Sequence, residues 1–356
     1  QAILLALVVL AVASIVLMII FKWNPIQWFG WVLAAASLVY MLNTLVFGLN
    51  YFAGPLADDI RLNVTDYTLQ ELEDSTVYYR DLANEYADQV SRDQDGNVIY
   101  PGFHELAVSA GDGFKALTYD YSYSVFAGTR VPVKELGWAD LYTSMGITGV
   151  TVGITGEAAV NPDIPDVGLP FTMCHEMAHR MCIANERDAN FSAYLACMTN
   201  PSKEFQYSAY FMAYRYCYSA LAAQGSVDAA NAAARIATEM GDNLKHDLKA
   251  YNSFFEENMD ANATDMANSF NDAYLKISGD ESGVESYGEV ADLLVSWHIQ
   301  EVVIPAQMEE AESVFDPYDE TQVDLTDIVG AMNNQKEDPE EAVTEEETEE
   351  NTEEEA

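Results

Sequence analysis

His175, Glu176 and His179 form an H-E-x-x-H run, and on a helix that spacing sets two imidazoles one turn apart on the same face. Both rings then reach a single metal ion, while the carboxylate after the first His points at water held by that ion. Hydrolysis by zinc needs three protein ligands and an open fourth position. Glu186, seven residues after His179, is the third donor on offer: residues 181–185 close the first helix, and a second helix returns Glu186 to the metal. Asn190 stands one turn past Glu186 on the same face, where its amide would orient a ligating His.

These residues need elements to hold them. Phe171, Cys174, Ala178, Met181 and Cys182 recur at helical spacing around the motif, and Pro170 suits the first helical turn. Residues 149–156 and 157–161 read as strands just ahead of the metal helix. An edge strand there would take extended substrate by main-chain pairing; an ordinary core strand is the other reading. Phe191, Tyr194, Leu195 and Met198 continue the second metal helix, and a Tyr-rich helix runs from Phe205 to Ala223. Further helices are expected at 227–256, 260–277 and 286–312. Two phenols are candidate donors to a transition-state oxyanion: Tyr210 on the Tyr-rich helix, and Tyr287 in a loop entering the last one. His298 reads as structural and His246 as part of a solvated face. Upstream, a capped helix begins at Thr68 and runs to Arg92, and a turn follows at 93–97. The stretch from there to Asp140 gives no assignment.

The composition is unevenly distributed. Sixteen Lys+Arg stand against 58 Asp+Glu, for a net charge of -42. That excludes the clustered basic residues a nucleic-acid partner requires. Residues 1–21 carry no charge and are long enough to span a bilayer, and a second apolar run covers 26–51. Trp23, Trp28 and Trp31 at one end and Tyr51 and Phe52 at the other resemble interfacial belts. Lys22 is the only charge in the link between the two spans. It favours a cytoplasmic link, with the remainder of the chain outside the cytoplasm. Residues 336–356 hold 11 Glu and are expected to be a disordered acidic tail. The four cysteines lack C-x-x-C spacing and read as small buried core residues.

The run ERDANFSAY that follows HEMAH resembles the E-x-E-A-N-x-F-A pattern of the ImmA/IrrE-type zinc peptidases, and more broadly the gluzincins, in which Glu is the third ligand. Asp188 stands where that pattern more often has Glu. Nearly the whole chain before the tail is also similar to an uncharacterised family of bacterial membrane proteins, a domain of unknown function. The matching stretches are GLNY, TGEAAVNPDIP, LPFTMCHEMAH, ERDANF and SGVESYG. The resemblance implies several N-terminal spans, one of them ahead of residue 1, and a zincin-like domain. It also implies zinc on His175, His179 and Glu186, with Glu176 as base.

The expected fold is mainly α (α+β): transmembrane helices at 1–21 and 26–51, then a mostly helical zincin-like metallopeptidase domain over 55–335 with a small β-sheet beside the metal helix. The expected function is peptide-bond hydrolysis by a zinc-dependent, membrane-anchored enzyme whose partners are the lipid bilayer and a peptide or protein substrate. The rival is a membrane-tethered binding or sensor module that uses zinc without turnover.

Overall fold

The computed structural model describes residues 2–278 and 290–314. Residues 1–303 form one compact unit and 304–356 a second. The chain is mainly helical with one three-stranded sheet.

Two apolar helices come first, α1 (Ala2–Ile20) and α2 (Pro25–Val46). Asn24 caps α2 through its side chain, and Pro25 occupies the first turn, where its missing N–H costs nothing. At 22 residues α2 is about 33 Å long and buries none of its side chains, so it is long and apolar enough to cross a membrane. Within α1 a shorter apolar stretch covers Val9–Ile20.

The second apolar run ends earlier than its composition suggests. Helix α2 stops at Val46 rather than 51, and a three-ten turn, Gly48–Phe52, follows. Phe47 is buried, and a Cβ on Gly153 would strike its ring. These residues therefore belong to the folded body, which continues through α3 (Leu56–Ile60).

Helix α4 (Leu69–Ala87) opens with a capping box in which Glu71 Oε2 accepts from Thr68 N at 2.7 Å and Thr68 Oγ1 from Glu71 N at 3.2 Å. The unassigned stretch holds α5 (Phe103–Tyr119), β1 (Lys134–Glu135) and α6 (Ala139–Ser144). Strands β2 (Gly149–Val152) and β3 (Glu157–Val160) form an antiparallel pair, and β1 lies parallel to β3 on its other side, so β3 is central and β2 is an edge.

Helix α7 (Leu169–Arg180) packs on β2 and β3. Helix α8 (Glu186–Met198) is buried on every side, and α9 (Lys203–Ala223) packs against it and against α4. The core between them is aromatic, with Tyr79, Tyr194, Tyr207, Tyr214, Phe191, Phe205 and Phe211 fully buried. The expected helix at 227–256 is two helices, α10 (Val227–Thr238) and α11 (Asp242–Asn258), broken at Gly241. After α12 (Ala261–Ser278), α13 (Val290–His298) passes into a π turn at Ile299–Val303. The second unit contains α14 (Ile304–Val314). Tyr287 and the acidic tail at 336–356 lie outside the described residues.

Three cysteines, Cys174, Cys197 and Cys217, are buried as expected. Cys182 is exposed, because α7 ends at Arg180 and Cys182 turns outward with φ +73°. His298 is structural: its Nδ1 is 2.8 Å from Ser75 Oγ and its ring stacks on Tyr78.

Candidate metal centre

The sequence between the two metal helices does local work. At the end of α7, Cys182 N bonds His179 O at 3.0 Å and Ile183 N bonds Ala178 O at 3.1 Å, which reverses the chain in one turn. The reversal brings Ile183 O to 2.8 Å from His179 Nδ1. An Nδ1–H donated there leaves Nε2 as a lone-pair donor, the tautomer a metal ligand needs. Asn185 then caps α8, its Oδ1 accepting from Asp188 N at 3.3 Å, so Glu186 opens α8 facing α7.

The three expected ligands come together. Glu186 Oε2 is 3.3 Å from His175 Nε2 and 3.6 Å from His179 Nε2, and all three donor atoms lie within 4.8 Å of one another. The two imidazole planes are nearly perpendicular at 88°. Glu186 Oε2 is buried and makes no well-directed hydrogen bond, although two nitrogens stand beside it. Two ligands each about 2.0–2.1 Å from a tetrahedral ion are about 3.3–3.4 Å apart, so the observed separations suit a small divalent metal.

Without an ion, charge is shared among these groups. Burial disfavours the His179 cation, but Glu186 beside it lifts its pKa to about 9. Burial would raise the Glu186 carboxyl; the His179 and His175 rings outweigh this and hold it well below the usual carboxylate range. Glu176 goes the other way, pushed up by burial against the opposing pull of His175, His179 and a hydrogen bond from Thr151.

Glu176 is positioned by the edge strand. The Thr151 hydroxyl is 2.6 Å from Glu176 Oε2 and 3.0 Å from its backbone carbonyl. A Cβ on Gly149 would come within 2.7 Å of Glu176 Cγ and Cδ, so only glycine lets β2 approach this closely. Sequence reasoning did not single out either residue. Alternation along 149–152 places them on one face, but nothing local says that the face meets Glu176.

A cleft of about 710 Å³ opens over His175, His179, Glu186 and Glu176. Its walls include Gly149, Val150 and Thr151 from β2, Phe47 and Tyr51 from the segment after α2, and Arg215 and Tyr216 from α9. Asn190 lines it as well, but its Oδ1 accepts from Tyr216 at 3.2 Å and it bonds neither imidazole; its expected role as orienter of a His is taken for His179 by Ile183 O. Tyr210 does not line the cleft. It packs on Tyr86, 4.9 Å between ring centres, on the opposite side of α9, which removes it as an oxyanion donor. Asp188 is a cap, its Oδ2 accepting from Leu56 N at 3.0 Å, and it ties α8 to the segment leaving α2.

Fold and site together define a mainly helical protein with an apolar N-terminal helix and a buried His-His-Glu cluster in a cleft. The chain belongs to the family described as "Protein of unknown function (DUF3810)", whose model matches residues 1–295. No curated protein and no solved structure matches it.

Proposed function

We propose that this protein is a membrane-anchored, gluzincin-like zinc metallopeptidase, with His175, His179 and Glu186 holding the metal and Glu176 as general base. One observation carries the reading: a buried, unbonded Glu186 oxygen at 3.3 and 3.6 Å from two imidazole Nε2 atoms, about the edge length of a tetrahedral zinc site. Zinc bound there supplies Lewis acidity, polarising a peptide carbonyl and lowering the pKa of water toward about 7. Glu176 would serve as the base, placed to accept a proton from the attacking water and to pass it to the departing amine, a task suited to a buried carboxyl whose pKa lies above its ordinary value. Thr151 holds the carboxylate in place, and the open edge of β2 offers main-chain groups to an extended peptide.

A structural zinc would be closed by four protein ligands. Among the described residues no fourth His, Cys, Asp or Glu joins the cluster, which favours turnover over a purely stabilising metal. The test is metal content with hydrolysis of an N-acetylated peptide library by the full chain in detergent. About one zinc per chain is expected, with cleavage lost to a chelator and restored by zinc. Protein purified without stoichiometric zinc and unable to take it up would overturn the proposal.

We further propose that α1 and α2 both cross the membrane with the Lys22 link cytoplasmic, which puts the cleft outside the cytoplasm and, through Phe47 and Tyr51, beside the bilayer. Cys182 reports on this, since it is exposed while the other three cysteines are buried. A membrane-impermeant maleimide is expected to label intact cells and to miss the Cys182→Ser variant. Labelling that appears only after lysis would reverse the topology.

A further inference from the structure

Arg215 lines the cleft together with His175, Glu176 and Glu186, on the face of α9 shared with Met212 and Tyr216. Its guanidinium carbon lies 4.2 Å from the centre of the Tyr251 ring and 5.9 Å from that of Phe211, and Nη1 is 3.5 Å from Met212 Sδ. Aromatic contact and a weak Nη1–H donation to Met212 Sδ fix the guanidinium and leave part of its five N–H donors free. Among the described residues no carboxylate stands within ion-pair distance of Arg215. Arg80, Arg92, Arg187 and Arg235 have such partners, whereas Arg61, Arg130 and Arg180 do not; of the four without one, Arg215 is the one that lines the cleft. This holds in a chain where acids outnumber bases 58 to 16.

We propose that Arg215 receives a carboxylate of the substrate, and so selects peptides that carry one near the bond to be cut. This rests on the hydrolase reading of the same cleft. A guanidinium is always charged and binds carboxylate through N–H···O bonds, so a partly buried one without a carboxylate partner among the described residues, its only donated contacts being to a thioether and a phenol ring, is a site for that group. The overall charge of -42 disfavours acidic ligands at long range, but salt screens that repulsion beyond about 10 Å, and within the cleft the nearest fixed cation decides. A carboxylate reaches the fork either as the C-terminus of a peptide or as an Asp or Glu side chain; the chemistry is shared and the experiment separates the two.

The probes are N-acetylated Ala/Phe tetrapeptides: one with a free C-terminal acid, one amidated, one amidated with an internal Glu, and one amidated with an internal Lys. Hydrolysis is measured with the zinc-loaded full chain in detergent, and binding by calorimetry with the Glu176→Gln form. At least one acid-bearing probe is expected to bind roughly 10- to 100-fold more tightly than the neutral amide. Preference for the free acid marks a carboxypeptidase and preference for internal Glu an acidic-side-chain pocket. The difference should vanish in Arg215→Gln, persist in part in Arg215→Lys, and turn toward the Lys probe in Arg215→Glu, with the effect in KM and not kcat. Equal binding of acids and amide by the unsubstituted Arg215 site overturns the proposal without recourse to any variant. Discrimination in binding without cleavage would sink the hydrolase reading and leave the carboxylate site standing; cleavage without discrimination would do the reverse.

Discussion

Replacing Glu176 with Gln is expected to slow peptide hydrolysis by roughly 10²- to 10⁴-fold while leaving about one zinc on each chain. The two halves of this expectation come from different atoms. The proposed metal donors come from His175, His179 and Glu186, and Glu176 is not among them. An amide of the same shape still fits beside Gly149 and still meets the Thr151 hydroxyl, now 2.6 Å from a carboxylate oxygen, so the cleft should keep its form. What the amide cannot do is take a proton. The companion change Glu186→Gln should fail in the opposite order, losing metal first and activity as a consequence, because a neutral oxygen replaces the only anionic ligand. A binding module that merely used zinc as a staple would bind metal and partner equally well with either residue at 176. Metal content by mass spectrometry and single-turnover cleavage, read on the same preparation, separate these cases, and a Glu176→Gln protein that cuts at the native rate removes the base from the mechanism.

The clustering of His175, His179 and Glu186 could be read from the chain because it is local. The interval from His175 to Glu186 spans one helix, one reversal and the first residue of the next helix, and each step has a signature in residue type. The partners of that site come from far away in sequence, and there the reading failed. Thr151 and Gly149 lie on a strand whose pattern says that it has two faces but not which helix meets one of them. The phenol was sought on the Tyr stripe of α9, where Tyr207, Tyr210 and Tyr214 share a face; that face is the core side, packed toward α4. The cleft side carries Met212, Arg215 and Tyr216, and Tyr216 stands about 120° around the helix from Tyr210 at 100° per residue. Abundance of Tyr marked burial, not chemistry. The aromatic end of the second apolar run, where Tyr51 and Phe52 read as an interfacial belt, gave no sign that Tyr51 and the nearby Phe47 line the cleft. Helix α5 was not recognised because Gly111 and Gly113 look like breaks.

Those two glycines give the sharpest test of the packing, and Gly113→Ala is expected to cost about 3 kcal/mol or more, at or beyond the upper end of the range for overpacking. Helices α5 and α8 cross so closely that a Cβ at 113 would overlap the Ala196 carbonyl oxygen, far inside van der Waals contact, and lie 2.7 Å from its carbon. Both are backbone atoms of a helix that is almost wholly buried, so no rotamer change relieves the overlap; the helices must part. For a body of this size the loss corresponds to a melting temperature lower by roughly 6–12 °C. Gly111→Ala is the internal comparison, made on the same helix. Its Cβ would lie 3.3 Å from Arg130 Cβ, a side-chain contact that can give, and the better helix propensity of Ala returns about 1 kcal/mol, so the net change should stay small. Because α8 presents Glu186 at its first turn, displacing it should also loosen the metal, and Gly113→Ala should hold zinc less tightly than Gly111→Ala in a chelator competition. Equal melting temperatures for the two variants would mean that α5 and α8 do not meet backbone to backbone, and the route by which the core fixes the carboxylate ligand would have to be sought elsewhere.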